Sequence, residues 1–346
     1  MMPSHEIVLC APVRTAIGTF NGSLKAIQAV ELGATVVRAV LERSRIDPLH
    51  IDSVLMGNVV QAGNRMNPAR QAGIYGGLPV DVPAMTLNRV CGSGAQAIVS
   101  AAHEIRAGES EIVLAGGMEN MDLAPYLMPS ARWGARMGHA QIYDSLLHDG
   151  LNDAFSNQHS GWHTEDLARD ADITRAEQDR WSVRSQERFA QAQAAGLFQE
   201  EIVGVSIPEK GGARIFDRDE ANRPGTTLEG LGKLKPAFRP DGTITAGNAP
   251  GLNSGAAALL VADRDAAGAL ASSRSHGWSR LGWRRSSPRC LAWGLCQPSV
   301  WHWNGPIGAW ATSTVSRSTK PSPQCRLRWH ANCRWRRIPS TSKAVR

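Results

Sequence analysis

The run Leu87-Asn88-Arg89-Val90-Cys91-Gly92-Ser93-Gly94 places a cysteine where an extended apolar stretch gives way to a helical one. The first N–H groups of a helix have no intrahelical partner and carry a partial positive charge. A sulfur held there is favoured as thiolate, and an oxyanion growing beside it is stabilised. Small residues at 92 to 95 let a substrate approach the backbone closely. Cys91 is therefore read as a nucleophile. A cysteine packed as a small hydrophobe is the competing account, and the strand, Cys, Gly-Ser-Gly, helix setting argues against it.

Other residues capable of chemistry are less well placed. His139, His148 and His163 lack the partner spacing of metal ligands, so no metal site is expected. The acidic cluster Asp217 to Glu220 reads as a solvated turn. Six cysteines without a secretory leader do not form a disulfide framework. Met1 to Leu9 has no basic segment followed by an apolar run, and no later stretch holds about 18 uncharged apolar residues. The expectation is a soluble, cytoplasmic protein.

The elements that must position Cys91 follow from periodicity. Strand patterns cover 5–10, 53–60, 84–90, 111–115 and 256–262. Helical stripes cover 26–42, 67–72 and 95–107. This βαβ alternation predicts an α/β fold with a largely parallel sheet covered by helices. From about 120 to 247 the chain reads as Gly- and Pro-punctuated loops around one strong helix, 175–194. Thr174 and Glu177 open that helix as a capping box.

The whole-chain charge of +7 misleads. Residues 1–270 hold 24 Lys and Arg against 31 Asp and Glu, whereas residues 271–346 hold 14 basic residues and no acidic ones. The same 76 residues carry eight of the 11 Trp and no Phe, Tyr or Met. Their apolar residues follow neither a helical nor a strand repeat. No fold is assigned to them.

Several separated segments then point the same way: Arg14-Thr15 with Gly18 and Phe20, the Cys91 run, and Gly116-Gly117-Met118-Glu119-Asn120-Met121. They continue with Thr226-Thr227-Leu228, Lys233-Leu234-Lys235-Pro236-Ala237-Phe238, Thr245-Ala246-Gly247-Asn248-Ala249 and Gly251-Leu252-Asn253. In this order, over residues 5 to about 270, the chain closely resembles the thiolase family of acyl-CoA C-acyltransferases. The resemblance implies a thiolase-like layered αβαβα fold of two similar halves. Residues 1–120 would be the N-terminal half, 121–250 a loop domain that binds coenzyme A, and 251–270 the start of the C-terminal half. Residues 271–346 would be a disordered, basic, Trp-rich tail.

By matching positions, Arg223 and Phe238 resemble loop-domain contacts to the CoA nucleotide and pantetheine, and His159 a residue lining the pantetheine tunnel. A solvated charge for Arg223 and core packing for Phe238 stay open beside those roles. Ser160 and Pro250 depart from the Met and Ser often found in bacterial thiolases. The resemblance further implies acyl-CoA thioesters as substrates, no permanently bound cofactor, and a homo-oligomer, dimer or tetramer.

Thiolase chemistry also needs a base for the nucleophile and a second acid/base. The family takes these from Asn-Glu-Ala-Phe, Gly-His-Pro and Cys-x-Gly motifs in its C-terminal half, and none occurs here. An out-of-frame tail accounts for this. Thr319-Lys320-Pro321-Ser322 can be encoded so that the neighbouring frame reads Asn-Glu-Ala-Phe, and 341–345 so that it reads Asn-Val-Glu-Gly-Gly. A chain whose C-terminal half is largely missing is expected to be poorly soluble and nearly inactive.

Two other readings compete with this one. The Trp-rich segment, centred on Arg328, Trp329, Arg334, Trp335, Arg336 and Arg337, could bind nucleic acid or an anionic membrane. Its missing periodicity and the frame argument lead us to expect neither partner. Another condensing enzyme, such as a ketoacyl synthase, would share the cysteine, but the segments from Lys233 to Gly251 favour a thiolase.

Overall fold

The computed structural model describes residues 6–272 and the two-residue strand Arg284–Arg285. The basic, Trp-rich tail, its out-of-frame origin and its candidate binding centre at 328–337 lie almost wholly outside those residues. The elements run β1 (Ile7–Thr15), β2 (Gly18–Thr19), α1 (Ala29–Ser44), β3 (Ser53–Gly57), α2 (Pro68–Tyr75), β4 (Ala84–Leu87), α3 (Ser93–Ala107) and β5 (Ile112–Asn120). The segment before the last long strand holds β6 (Tyr126–Leu127), β7 (Tyr143–Asp144), α4 (Ser160–Asp170), α5 (Arg175–Ala194), β8 (Ile202–Val203), β9 (Val205–Glu209), β10 (Gly212–Phe216) and α6 (Leu228–Gly232). Then follow β11 (Asn253–Asp263), α7 (Arg264–Ser272) and β12 (Arg284–Arg285).

The main sheet has the order β12-β1-β11-β5-β3-β4. β3 pairs in parallel with both β4 and β5, as the βαβ pattern predicts. The expectation of a largely parallel sheet is corrected at its centre. β11 enters between β1 and β5 and runs antiparallel to both. Local periodicity reports that 256–262 is a strand, but its direction depends on where the chain returns after more than a hundred residues.

Val36, Val37 and Val40 of α1 pack with Val8, Met56, Leu114 and Leu260 on one face of the sheet. On the other face Ala97, Ala101 and Ile105 of α3 meet Leu55, Val113, Ala115 and Val261. Each fully buried aliphatic side chain contributes about 1.5–3 kcal/mol relative to exposure. The layering is α/β/α, and among the described residues there is one large sheet.

β3 and β4 stop at Gly57 and Leu87, short of the 53–60 and 84–90 expected, while β1 and β5 run well past the stretches their periodicity marks. β1 continues past Cys10 through a bulge, with the register shifting between Cys10 and Val13 and Ala11 at φ 49°. The bulge accommodates Pro12, which cannot donate to a ladder. β5 continues through Gly116 and Gly117, residues that disfavour strands by propensity. Packing requires them. A Cβ on Gly116 would run into the Ala257 carbonyl, and one on Gly117 would sit 3.4 Å from the Gly94 Cα in α3.

The segment between β5 and β11 is more structured than the looped stretch expected. Helix α5 has the predicted limits and capping box, Thr174 Oγ1 accepting from Glu177 N–H at 3.3 Å and Glu177 Oε2 from Thr174 N–H at 2.8 Å. Helix α4 was not foreseen, since its buried positions are Gly161, Glu165 and Ala168, which make no apolar stripe. The reading of Asp217 to Glu220 as a solvated turn is wrong for half of it. Asp219 is buried and receives a two-pronged contact from Arg14, while Glu220 accepts from the Thr19 and Ser23 backbones. The cluster fastens this segment to the end of β1, a long-range partnership invisible to composition.

Candidate active site

Cys91 is exposed on the turn between β4 and α3. The turn is strained where a side chain must be aimed: Val90 is a β-branched residue at φ 50°, which costs of order 1–2 kcal/mol. Three side chains hold it. Asn88 Oδ1 accepts from Val90 N–H at 2.8 Å. Ser93 Oγ donates to the Val90 carbonyl at 2.6 Å and accepts from Arg89 N–H at 2.8 Å. Arg89 reaches forward to Gln96 on α3. Ser93, read from sequence only as a small residue, is thus a bracket.

Glycines bring the start of α3 onto the sheet. A Cβ on Gly57 would be 2.6 Å from Ser93 Cβ, and Gly94 lies against the Gly116–Gly117 backbone. The helix N-terminus is held at the carboxyl ends of β3, β4 and β5, with Cys91 at its entrance. Backbone N–H groups there can meet the charge of a thiolate or an oxyanion.

Behind the turn, Glu119 Oε2 accepts from the N–H of Val59 at 2.7 Å and of Val60 at 3.4 Å, and Oε1 accepts from Asn58 Nδ2 at 2.9 Å. Asn88 Nδ2 donates to the Val59 carbonyl at 3.3 Å. Burial pushes the Glu119 carboxyl above the usual carboxylate range against the pull of these donors. Asn58, Asn88 and Glu119 were not singled out by sequence reasoning, although an Asn two residues before a φ-positive position is a recognisable Asx signal.

His159 and Phe238, 79 residues apart in sequence, meet in one stack with ring centroids 4.7 Å apart and planes at 22°. Phe238 lies over Gly161, where any Cβ would strike its ring. His159 caps α4, its Nδ1 accepting from Gly161 N–H at 3.0 Å. That bond puts the ring proton on Nε2, and burial lowers the pKa further in favour of the neutral form. Arg223 is exposed, with its backbone N–H bound to Gln186 Oε1 at 2.8 Å. Among the described residues no hydrogen bond or ring contact ties Cys91 or Arg223 to the His159–Phe238 stack.

Other motif residues prove structural. Asn248 Nδ2 donates to Asp179 Oδ1 at 2.9 Å and to the Thr243 carbonyl at 3.1 Å. His163 contacts Ser156 at 2.7 Å, and His148 lies against Tyr143. No group of three His, Cys, Asp or Glu among the described residues could hold a metal ion, and no helix there is long and apolar enough to cross a membrane.

The family model described as "Thiolase, N-terminal domain" matches residues 7–265. The acetyl-CoA acetyltransferase of Pseudomonas aeruginosa is 52% identical over 267 residues, which are 77% of this chain and 68% of that protein. A probable acetyl-CoA acyltransferase of Staphylococcus epidermidis is 50% identical over 266 residues, with the same two coverages. The crystal structure of the Bacillus anthracis acetyl-CoA acetyltransferase superposes with a TM-score of 0.75 at 40% identity, again over 77% of this chain and 68% of that one. On the extent of that family match and the identity to these enzymes, the chain belongs to the thiolase family.

Proposed function

We propose that this chain carries the acyl-accepting half of an acyl-CoA C-acyltransferase that forms or cleaves 3-ketoacyl-CoA such as acetoacetyl-CoA. The Cys91 sulfur attacks the thioester carbonyl carbon, and the carbonyl oxygen takes the electron pair beside the α3 N-terminus. The oxyanion then collapses, the bond to the CoA sulfur breaks, and CoA leaves as thiolate and takes up the proton from Cys91. The acyl group remains on Cys91 as a thioester. The observation that carries this reading is the exposed sulfur on a strained, bracketed turn at the start of α3.

In the same reading the segment from β6 to α6 holds the CoA moiety. Phe238 and His159 offer an apolar wall and an Nε2–H donor to pantetheine, and the exposed Arg223 meets the nucleotide phosphates. No metal or resident cofactor takes part; the CoA thioester is the substrate. A homo-oligomer is included, because β4 is an edge strand among the described residues and Met85 on it is exposed. The setting is cytoplasmic fatty-acid metabolism.

The test is incubation of the purified chain with acetyl-CoA followed by peptide mass spectrometry. Slow acetylation of Cys91, lost in Cys91→Ala, with almost no acetoacetyl-CoA turnover, is the expected outcome. An unmodified Cys91, or equal acetylation of other cysteines, overturns the assignment. Rapid turnover would overturn the inactivity that follows from the absent Gly-His-Pro and Cys-x-Gly motifs.

A further inference from the structure

The alternation of β5 puts Val113, Ala115, Gly117 and Glu119 on the face that carries α3. Gly117 already lies against Gly94 in the first turn of that helix, so Glu119, two residues on, projects past the helix N-terminus toward the Cys91 turn. Its three contacts are all donors from one corner, residues 58–60. That corner continues the β3–β4 ladder through Asn58 N–H to the Leu87 carbonyl at 3.1 Å. It then offers the Val59 carbonyl to Asn88, whose Oδ1 holds Val90.

We propose that Glu119 is a positioning residue for Cys91: its carboxylate clamps the corner at 58–60, and that corner, through Asn88, holds the strained Val90–Cys91 turn over the start of α3. Two observations separate this from ordinary packing. Among the described residues no cation pairs with Glu119, so the donors of the 58–60 corner alone answer a charge that burial disfavours. A glutamine, moreover, cannot replace it. Three N–H donors require two acceptor oxygens, and the amide would set its own NH2 against one of them. The inference rests on the reading of Cys91 as the reactive nucleophile.

The test measures carboxamidomethylation of Cys91 from neutral to alkaline pH in the full chain, by peptide mass spectrometry. Cys10 serves as the internal report on folding. It is buried, with its thiol pushed up to about 11, and stays unlabelled while the sheet is intact. Glu119→Gln and Asn88→Ala are each expected to slow Cys91 labelling about fivefold and to move its pH profile upward. The double variant is expected to be no slower than either single one, because the two act in series.

Unchanged Cys91 rate and pH profile in Glu119→Gln with Cys10 protected overturns the proposal, as does a double variant in which the two effects multiply. If Glu119→Gln exposes Cys10, Asn88→Ala decides alone, since Asn88 is a surface residue: slowed Cys91 labelling supports the relay and an unchanged rate overturns it. Failure of the nucleophile reading would show instead as wild-type Cys91 that alkylates normally but takes no acetyl group.

Discussion

Arg14 and Asp219, 205 positions apart, meet through both prongs of a fork, Nη1 to Oδ1 at 2.7 Å and Nη2 to Oδ2 at 2.9 Å. Arg14 Nε also reaches Glu201 at 2.7 Å, and its guanidinium lies 5.5 Å from the Phe198 ring centroid. One side chain at the end of β1 thus ties two acids of the β6–α6 segment, the part proposed to hold CoA, to the sheet, beside the contacts of Glu220 to Thr19 and Ser23.

Breaking that anchor strands a buried acid. Arg14→Ala leaves Asp219 uncompensated and is expected to cost about 3 kcal/mol, read as a lower urea midpoint. Arg14→Lys should recover less than half of the loss, because a lysine cannot make the two-pronged contact. Equal stability of the lysine variant and wild type would show that charge alone suffices.

Glu119 has a pH signature of its own. Its folded pKa is raised by burial, so the ionised form that accepts from all three donors costs more in the fold than in the unfolded chain, and stability falls as pH rises from the unfolded value through the folded one. Wild type should therefore lose stability relative to Glu119→Gln as pH climbs from below the ordinary glutamate range toward neutrality. A difference that moves the other way would mean the three donors outweigh burial.

His159 should titrate below free histidine, because burial disfavours its charged form and Nδ1 is committed to Gly161 N–H. A depressed histidine pKa stabilises the fold above the unfolded value, and that stability is lost as pH falls through the folded one. A two-dimensional NMR titration checks this, and a midpoint above that of free histidine would contradict it. His159→Ala should cost about 1 kcal/mol through loss of the helix cap.

Gly116 and Gly94 should respond oppositely to one methyl group. Gly116→Ala drives a Cβ into the Ala257 carbonyl and is expected to destabilise by about 3 kcal/mol. Gly94→Ala meets only backbone atoms 3.8 Å away or farther, so thermal unfolding should change by less than about 1 kcal/mol.

Val90→Gly relieves a left-handed valine and should raise stability by about 1 kcal/mol. It also frees the turn that aims Cys91. Acetylation of Cys91 should therefore slow as the unfolding temperature rises, and faster acetylation would show that the strain does not help the chemistry.

Much of this was legible locally. The strands at 53 and 84, the helix after Cys91 and the capped helix from Arg175 came from apolar spacing and capping chemistry, which are short-range signals. The setting of Cys91 between a strand and a helix was legible from the same signals. Helix α4 was not, since it buries glycine, glutamate and alanine. The continuation of β5 was not predicted either, since Gly116 and Gly117 suit a strand only when α3 and β11 press against them.

What the sequence by itself determined is the family and the type of most elements, with Cys91 as the proposed nucleophile, because residue identity, order and nearby periodicity are properties of the chain. Tertiary structure alone decided that β11 runs antiparallel between β1 and β5, that Asp219 is a buried anchor, and that Val59 links Asn88 to Glu119. Those relations join residues roughly 30 to 240 positions apart. They exist only once the hydrophobic faces have closed, when a buried donor or carboxylate must find a partner that no neighbouring residue supplies.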